Sequence, residues 1–370
     1  MPDAEISALI TNYNTGPLMV RCVESLIAQR TPGRTLEVLV IDDDSFLDQR
    51  PYLEQARRHG ARVLELDRNQ GHGGACNRGF EASTGQFVFL INSDTVACEG
   101  ALARLVEHLD THAQVGFVEP RTYIDDDRTF VIPEIFRPRP GEAAWVGLSG
   151  LYAERLGLQR ARRWVATWQS SQPQAQEHLT GAFLGARRDV IERLGGYDEG
   201  YPLYYEDSDM FARARGVDLE LCLLPTAEVV HYGHRSVAMI WEEAMHKSQI
   251  GRARYMRRHH GRVGAWLDSS VDGAMRHVRR LRVPRPRRRA IELGKLEAPP
   301  TLTPTTDDRP YLLELAFDPF FLLSCGRFCD PGPTTLSAAT WDSLFETTHY
   351  LRALSLDSWE SMGTWVFEKG

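Results

Sequence analysis

Leu36-Glu-Val-Leu-Val-Ile-Asp-Asp-Asp-Ser45 is a mostly apolar run that stops on three consecutive carboxylates. A run without alternation suits a strand buried on both faces, and the carboxylates mark its carboxyl end. Reading toward the amino terminus, Ile6-Ser-Ala-Leu-Ile-Thr11 is a second such run, stopped by the turn cluster Asn12-Tyr-Asn-Thr-Gly-Pro17. Leu18, Cys22, Leu26 and Ile27 then follow helical spacing. Reading the other way, a helix reaches about His59, and Ala61-Arg-Val-Leu-Glu-Leu66 is a third strand. The glycine-rich segment from Gly71 to Gly79 leads into a helix, and Gln86-Phe-Val-Phe-Leu-Ile91 is a fourth strand. Strands alternating with helices predict an α/β fold, a Rossmann-like, mostly parallel sheet with flanking helices. Ligands of such sheets sit at the carboxyl ends of the strands, where the polar residues of this chain fall.

Beyond residue 115 the pattern loosens. Helices are expected over residues 187–194, 205–215 and 239–260, and a strand over 219–224. The arginine-rich, proline-punctuated stretch from Arg276 to Arg289 suits no regular core element, and residues 298–306 read as a linker. Residues 311–370, rich in Phe, Trp, Leu and Thr, read as a small C-terminal β-rich module. Its dense aromatics suit a core, and an acceptor-binding or dimerising role is the sharper alternative. The expected divisions are 1–120 and 121–236 as two halves of one catalytic domain, 237–297 as a helical, arginine-rich extension, and 298–370 as the module.

With 42% hydrophobic and 25% charged residues among 370, wholesale disorder, collagen and coiled coil are excluded. The formal net charge is −7, yet thirteen arginines face two aspartates between Arg252 and Arg289. The rest of the chain is therefore strongly acidic, and the basic strap is the stronger clue. Cys22, Cys76, Cys98, Cys222, Cys325 and Cys329 are irregularly spaced and complete no zinc pattern, so reduced, buried thiols are expected. The amino terminus shows no basic and apolar leader, and no run of about 20 apolar residues occurs, so a cytoplasmic protein is expected.

Four constellations can carry chemistry. Asp42-Asp-Asp-Ser45 and Asn92-Ser-Asp94 end two strands on one rim, where carboxylates repel unless a cation or a donor-rich ligand satisfies them. Asp94 suits a hard cation, and Asp43 could accept from a nucleobase N–H. The bland alternative is turn and cap chemistry. Asn69-Gln-Gly-His-Gly-Gly-Ala-Cys-Asn-Arg-Gly79 lets backbone approach a ligand closely, or is simply a tight connection; it matches neither dinucleotide nor P-loop fingerprints. Leu203-Tyr-Tyr-Glu-Asp-Ser-Asp209 puts three carboxylates at a helix start, as dipole complements or with one acting as general base. His231 follows an apolar strand, either as a structural residue or as a partner of Asp94 on a mixed nitrogen and oxygen site that favours Mn²⁺ over Ca²⁺.

Taken in order, the motifs are N-Y-N, D-D-x-S, N-x-G-x-x-x-x-x-N-x-G, N-x-D, T-G-A-F-x-x-x-R, G-G-x-D-E, Y-x-E-D-x-D and P-x-A-x-x-x-H. This succession resembles the family 2 inverting glycosyltransferases of GT-A fold, in particular their rhamnosyltransferase-like branch. The resemblance covers about residues 5 to 262, roughly 70% of the chain, and does not reach the C-terminal module.

The resemblance implies a metal-dependent transfer of a sugar from a nucleotide donor, dTDP-rhamnose or a UDP-sugar, to a hydroxyl acceptor. Thr11, Asn14 and Asp43 match positions that contact the nucleotide, and Asn69, Gly71 and Asn77 match positions beside the nucleotide-sugar. Asn92-Ser93-Asp94 stands where the family has D-x-D, with Asn replacing the first Asp, so Asp94 would carry Mg²⁺ or Mn²⁺ together with His231. Asp207, preceded by Glu206, matches the catalytic base, while Thr180, Gly181, Ala182 and Asp209 fall on the acceptor side. Inversion in one displacement needs no covalent intermediate, unlike the two-carboxylate hydrolase scheme.

The acceptor class stays open among glycans, lipid-linked glycans and small molecules. For the strap from Arg276 to Arg289, a solvated linker, contact with the acidic body and peripheral contact with anionic lipids at the inner face of a membrane all remain. No recognition motif supports nucleic acid. Two other function classes compete: an inactive binding protein on the same fold, although Asp94, Asp207 and His231 are all present, and a nucleotidyltransferase. The latter normally has a basic, glycine-rich loop after the first strand, where Asn12-Tyr-Asn14 stands here.

Overall fold

A computed structural model describes the backbone of residues 4–30, 34–233, 235, 240–279, 290–305 and 308–370, and their side chains except at 142–154 and 275–279. His234 and the strap from residue 280 to 289 lie outside the described residues. In chain order the elements begin β1 (Ile6–Asn12), α1 (Gly16–Ile27), β2 (Leu36–Asp42), α2 (Arg50–Arg58), β3 (Arg62–Glu65), α3 (Gly71–Glu81), β4 (Phe87–Asn92), β5 (Thr95–Ala97) and α4 (Ala101–Thr111). There follow β6 (Val115–Tyr123), α5 (Glu142–Gln169), β7 (Gln174–Gln176), β8 (Phe183–Arg187), α6 (Arg188–Leu194), α7 (Glu206–Arg215), β9 (Glu220–His231) and α8 (Trp241–Arg279). The chain ends with β10 (Ile291–Leu296), β11 (Thr301–Leu302), β12 (Tyr311–Ala316), β13 (Ser324–Cys329), β14 (Thr334–Thr335), α9 (Ala338–Ser343), β15 (Thr348–Ser355) and β16 (Ser361–Lys369).

The chain divides into two compact units. The first comprises Met1–Arg121, Glu134–Arg139 and Ser171–Ala265. Its sheet has the order β3-β2-β1-β4-β8-β6-β9-β5, with β7 paired to β9. The strands read first, β3, β2, β1 and β4, form the parallel half, as the mostly apolar runs of β1, β2 and β4 suggest. Alternate residues of each strand feed two cores. Ala8, Ile10, Val38, Val40, Phe89 and Ile91 pack with α1 and α4, while Leu9, Leu39, Ile41, Val88 and Leu90 pack with α3 and α7. Register then fixes the site: Asn12 pairs Asp42 and Thr11 pairs Asn92, so the polar strand ends line one rim.

The second unit comprises Thr122–Pro133, Pro140–Ser170 and Trp266–Gly370. Its five-stranded sheet, β10-β16-β15-β12-β13, is antiparallel apart from the β10·β16 pair. The β-rich module of the sequence reading is therefore present, and Tyr311, Leu313, Leu351, Trp341, Trp365 and Phe367 form its core. Arg352 and Glu314 form a buried ion pair, Nε to Oε2 at 2.7 Å, and Ser324 donates to the other oxygen at 2.7 Å. The Trp168 ring of α5 lies on Gly326, where a Cβ would come within 2.0 Å of it.

Several elements depart from the sequence reading. The glycine-rich segment does not precede a helix; α3 starts at its first residue, Gly71. Strand β9 continues through Pro225 to His231, and α8 runs on to Arg279 across a break at Gly261 (φ 67°, ψ −172°). Residues 301–302 pair with 334–335 within the expected linker. Helix α5 escapes the reading because Gly147, Gly150 and Gly157 weaken its helical signal.

Candidate active site

The rim is held by a polar lattice. Asn12 Nδ2 donates to Asp42 Oδ1 at 2.6 Å, and Ser45 Oγ donates to the same oxygen at 2.8 Å. Thr15 Oγ1 lies 2.7 Å from both Asn12 Oδ1 and Ser93 Oγ, tying β1 to the Asn92-Ser93-Asp94 turn. Asn14 adopts φ 61°, accepts from the Leu47 N–H at 2.9 Å, and leaves its buried Nδ2 without a hydrogen-bond partner. A turn residue in the left-handed region with an unspent donor fits a ligand-facing position. Thr11 Oγ1 lies 3.2 Å from His72 Nδ1 of α3.

Asp43 and the asparagines of the glycine-rich motif are engaged with the protein itself. Asp43 Oδ1 accepts from the Gln70 N–H at 2.7 Å, and Asn69 Nδ2 donates to the Asp43 carbonyl at 3.0 Å. Burial pushes the Asp43 carboxyl up to about 6, although N–H groups of Gln70 and Gly71 oppose this. Gly71 takes φ +74°, and a Cβ there would lie 2.9 Å from the Pro202 carbonyl. Asn77 clasps the backbone of Tyr197 from both sides, accepting its N–H at 2.9 Å and donating to its carbonyl at 3.0 Å. Its other contact is Glu199, at 2.9 Å, so its amide is occupied by the 195–199 segment rather than turned to a ligand.

Asp94 and His231 meet because β5 pairs antiparallel with β9, Thr95 opposite His231. His231 Nε2 lies 3.2 Å from Asp94 Oδ1, yet it is buried and makes no hydrogen bond. Burial raises the Asp94 carboxyl, but His231 and the Arg235 N–H outweigh it, and the net shift is downward. An ionised oxygen beside an unspent imidazole nitrogen is a donor set that fits Mg²⁺ or, better, Mn²⁺.

The other side is built on β8 and α7. The Thr180 N–H and Oγ1 both donate to buried Glu119 Oε2, at 2.7 and 2.8 Å. Burial drives the Glu119 carboxyl up to about 7 against these donors. The Ala182 carbonyl accepts from the Asn92 N–H at 2.9 Å, so the Thr180-Gly181-Ala182 floor is stitched to the rim. Tyr204 and Tyr205 take φ of 62° and 69°, a strained approach that delivers Glu206 and Asp207 to the first turn of α7. Such strain concentrates where function requires it.

Glu206 is buried with Oε2 unpartnered, and burial together with the Asp207 charge pushes its carboxyl up to about 8. Burial raises Asp207 too, while His72 and the Tyr197 hydroxyl draw it back. His72, Glu206 and Asp207 bring side-chain polar atoms within 4.8 Å of one another. Partners within the protein already engage part of this group. Tyr197 OH donates to Asp207 Oδ1 at 2.6 Å, and the two His72 ring nitrogens lie 3.2 Å from Thr11 Oγ1 and 3.7 Å from Cys76 Sγ. Tyr204 feels both Glu206 and Asp94, linking the carboxylate pair to the Asp94 and His231 side.

Asp209 sits elsewhere. The expectation of an acceptor-side residue meets a fully enclosed carboxylate that takes Arg213 Nε at 2.7 Å, His259 Nε2 at 2.7 Å and Tyr201 OH at 3.2 Å. It lies two residues beyond Asp207 on the helix, hence on a different face, and points into α8. The sequence reading also missed Glu119, His72 and Tyr197. His72 and Tyr197 lie inside quoted motifs, at x positions; Glu119 gave only the weak signal of a charge within an apolar strand.

Comparison with known proteins bears on the family and the fold. The model of the family described as glycosyl transferase family 2 matches residues 7–195, a span that ends before Asp207 and His231. The chain is 33% identical over 128 residues to an uncharacterized glycosyltransferase of Nostoc sp., covering 34% of this chain and 39% of that protein. It thus spans well under half the length of that relative. It is 24% identical over 242 residues to the N-acetylglucosaminyl-diphospho-decaprenol L-rhamnosyltransferase of Mycobacterium tuberculosis, covering 61% of this chain and 76% of that protein. A solved mannosyltransferase of Pyrobaculum calidifontis, in complex with GDP-Man and Mn²⁺, aligns with a TM-score of 0.50 at 16% identity, covering 75% of this chain and 74% of that one. That last likeness is one of fold.

Proposed function

The chain belongs to glycosyl transferase family 2, and on that premise we propose that it moves a sugar from a nucleoside diphosphate to a hydroxyl acceptor, with Asp207 as general base. The observation that carries this reading is Asp207 itself, a carboxylate at the start of α7, oriented by Tyr197 and seated on Gly181. A base so placed takes the acceptor proton as the hydroxyl oxygen attacks the anomeric carbon. The sugar–phosphate bond breaks on the opposite face, so configuration inverts and the nucleoside diphosphate leaves.

Thr11, Asn14, Asn92 and Ser93 line the rim on which the donor would lie. Asp94 and His231 would hold Mg²⁺ or Mn²⁺, which when bound supplies positive charge for the leaving diphosphate. Asp43, Asn69 and Asn77 act on the donor indirectly, by fixing α3. The name of the Mycobacterium tuberculosis relative favours an L-rhamnosyl donor, such as dTDP-rhamnose over a UDP-sugar, and a lipid-linked diphosphate acceptor. An acceptor of that kind suits peripheral membrane contact through the strap from Arg276 to Arg289. Trp266 and Leu267 are exposed on the helix that leads into the strap. No helix among the described residues is long and apolar enough to cross a membrane.

The test is a panel of nucleotide-sugars screened by thermal stabilisation with and without Mn²⁺. One donor should stabilise the protein in a metal-dependent way. If none shifts the melting temperature, the rim is structural and the reading fails.

A further inference from the structure

Resting on the assignment of Asp207 as base, we infer that Tyr197 and His72 are positioning residues for it: Tyr197 fixes the carboxylate's orientation, and His72 supplies the charge that balances it. Neither residue belongs to the donor, metal or acceptor sets above. Tyr197 is buried, and its hydroxyl lies 2.6 Å from Asp207 Oδ1. Its backbone cannot shift independently, because Asn77 holds both its N–H and its carbonyl. Gly196, at φ +69°, makes room for that clasp: a Cβ there would lie 2.7 Å from Asn77 Oδ1. The same helix carries His72, whose ring stands edge-on to the Tyr197 ring, centroids 6.0 Å apart. Between them Gly73 allows close packing, since a Cβ there would lie 3.1 Å from Tyr197 Cβ and 3.6 Å from Glu206 Cβ. The glycine-rich helix thus brings one hydroxyl, one imidazole and the carboxylate pair together.

Charge gives the arrangement its purpose. The groups facing Asp207 are Glu206 on its own helix, Tyr197 from the preceding loop, and His72 and Cys76 from α3. Burial keeps the Cys76 thiol and the Tyr197 phenol neutral. The Asp207 charge holds Glu206 in its protonated form, and burial disfavours the charge on Asp207 itself; of the groups around it, His72 and the Tyr197 hydroxyl draw Asp207 toward its ionised form. Loss of His72 would therefore raise the pH at which Asp207 is free to act as base.

The experiment measures kcat, donor KM and acceptor KM against pH for the wild type, Tyr197→Phe, His72→Gln and Glu206→Gln, with melting temperatures to confirm folding. Asp207→Asn is run alongside. Tyr197→Phe should lower kcat about ten- to a hundredfold and leave donor KM within about twofold, the signature of a misplaced reacting group. His72→Gln should move the acid limb of the kcat profile to higher pH, whereas Glu206→Gln, which replaces a group already neutral there, should leave the limb in place. A folded Tyr197→Phe variant with wild-type kcat and a His72→Gln profile superimposable on the wild type, or losses confined to KM, overturn the inference. If Asp207→Asn transfers sugar at the wild-type rate, the base assignment itself fails, and the inference fails with it.

Discussion

Asp207 Oδ2 lies where a side chain on Gly181 would be: a Cβ there would come within 2.4 Å of it. Gly181 also takes φ +78°, so the position excludes a side chain on two grounds. The glycine of the Thr180-Gly181-Ala182 floor is thus the seat of the base. Gly181→Ala should leave the sheet intact and displace Asp207. Transfer should fall about a hundredfold while nucleotide binding persists, as measured by turnover beside calorimetric titration of the nucleoside diphosphate.

Asp94 and His231 give a second prediction. Asp94→Ala removes the ionised oxygen that faces the unspent imidazole nitrogen. Donor stabilisation by Mn²⁺ should disappear, and His231→Ala should weaken it in the same direction. Melting curves of both variants with and without metal check this. Metal-dependent stabilisation that survives in Asp94→Ala places the cation elsewhere.

Asp209 should behave as a structural anchor. Asp209→Ala leaves Arg213 and His259 facing a vacant position, and breaking such a buried charge cluster costs about 3–5 kcal/mol. Urea unfolding measures it. An unchanged midpoint with a raised acceptor KM would return Asp209 to the acceptor side.

Glu119 gives a pH signature. Its folded carboxyl titrates at about 7, above the ordinary unfolded value near 4.3, because burial disfavours the charge. The folded state therefore holds the extra proton, and this contribution to stability is complete below the unfolded value. It is lost as pH rises toward about 7. Glu119→Gln, which stays neutral, should remove that part of the decline between about pH 4.3 and 7. Denaturation midpoints of both proteins across this range provide the check.

The parallel half of the sheet is legible in the sequence because β1, β2 and β4 are mostly apolar, broken only by Ser7 and Glu37 before their polar ends, and each stops on a polar turn. Register places those turns on one rim, so Asn12, Asp42 and Asn92 fall into one group from the order of residues itself. The antiparallel half is not legible. Strand β6 carries Glu119 in an apolar run, and β9 carries Pro225, so neither shows a clean period. The charge cluster at α7 is legible as a cluster only. Asp207 and Asp209 are two residues apart on a helix, hence on different faces, and sequence alone does not say which of them α8 claims. The glycine-rich motif reads as a place for ligand, whereas Asn69 and Asn77 spend their amides on Asp43 and Tyr197. Spacing records that these residues matter together, but not whether they hold a substrate or one another.

The central claim is that Asp207 takes the acceptor proton in a single displacement. The most direct measurement is transfer by Asp207→Asn under saturating donor, metal and acceptor, with the product's anomeric configuration assigned by NMR for the wild type. The account predicts an inverted product, and a variant that binds the donor normally but loses transfer about a hundred- to ten-thousandfold. A retained configuration, or an Asp207→Asn enzyme that turns over at the wild-type rate, would contradict it.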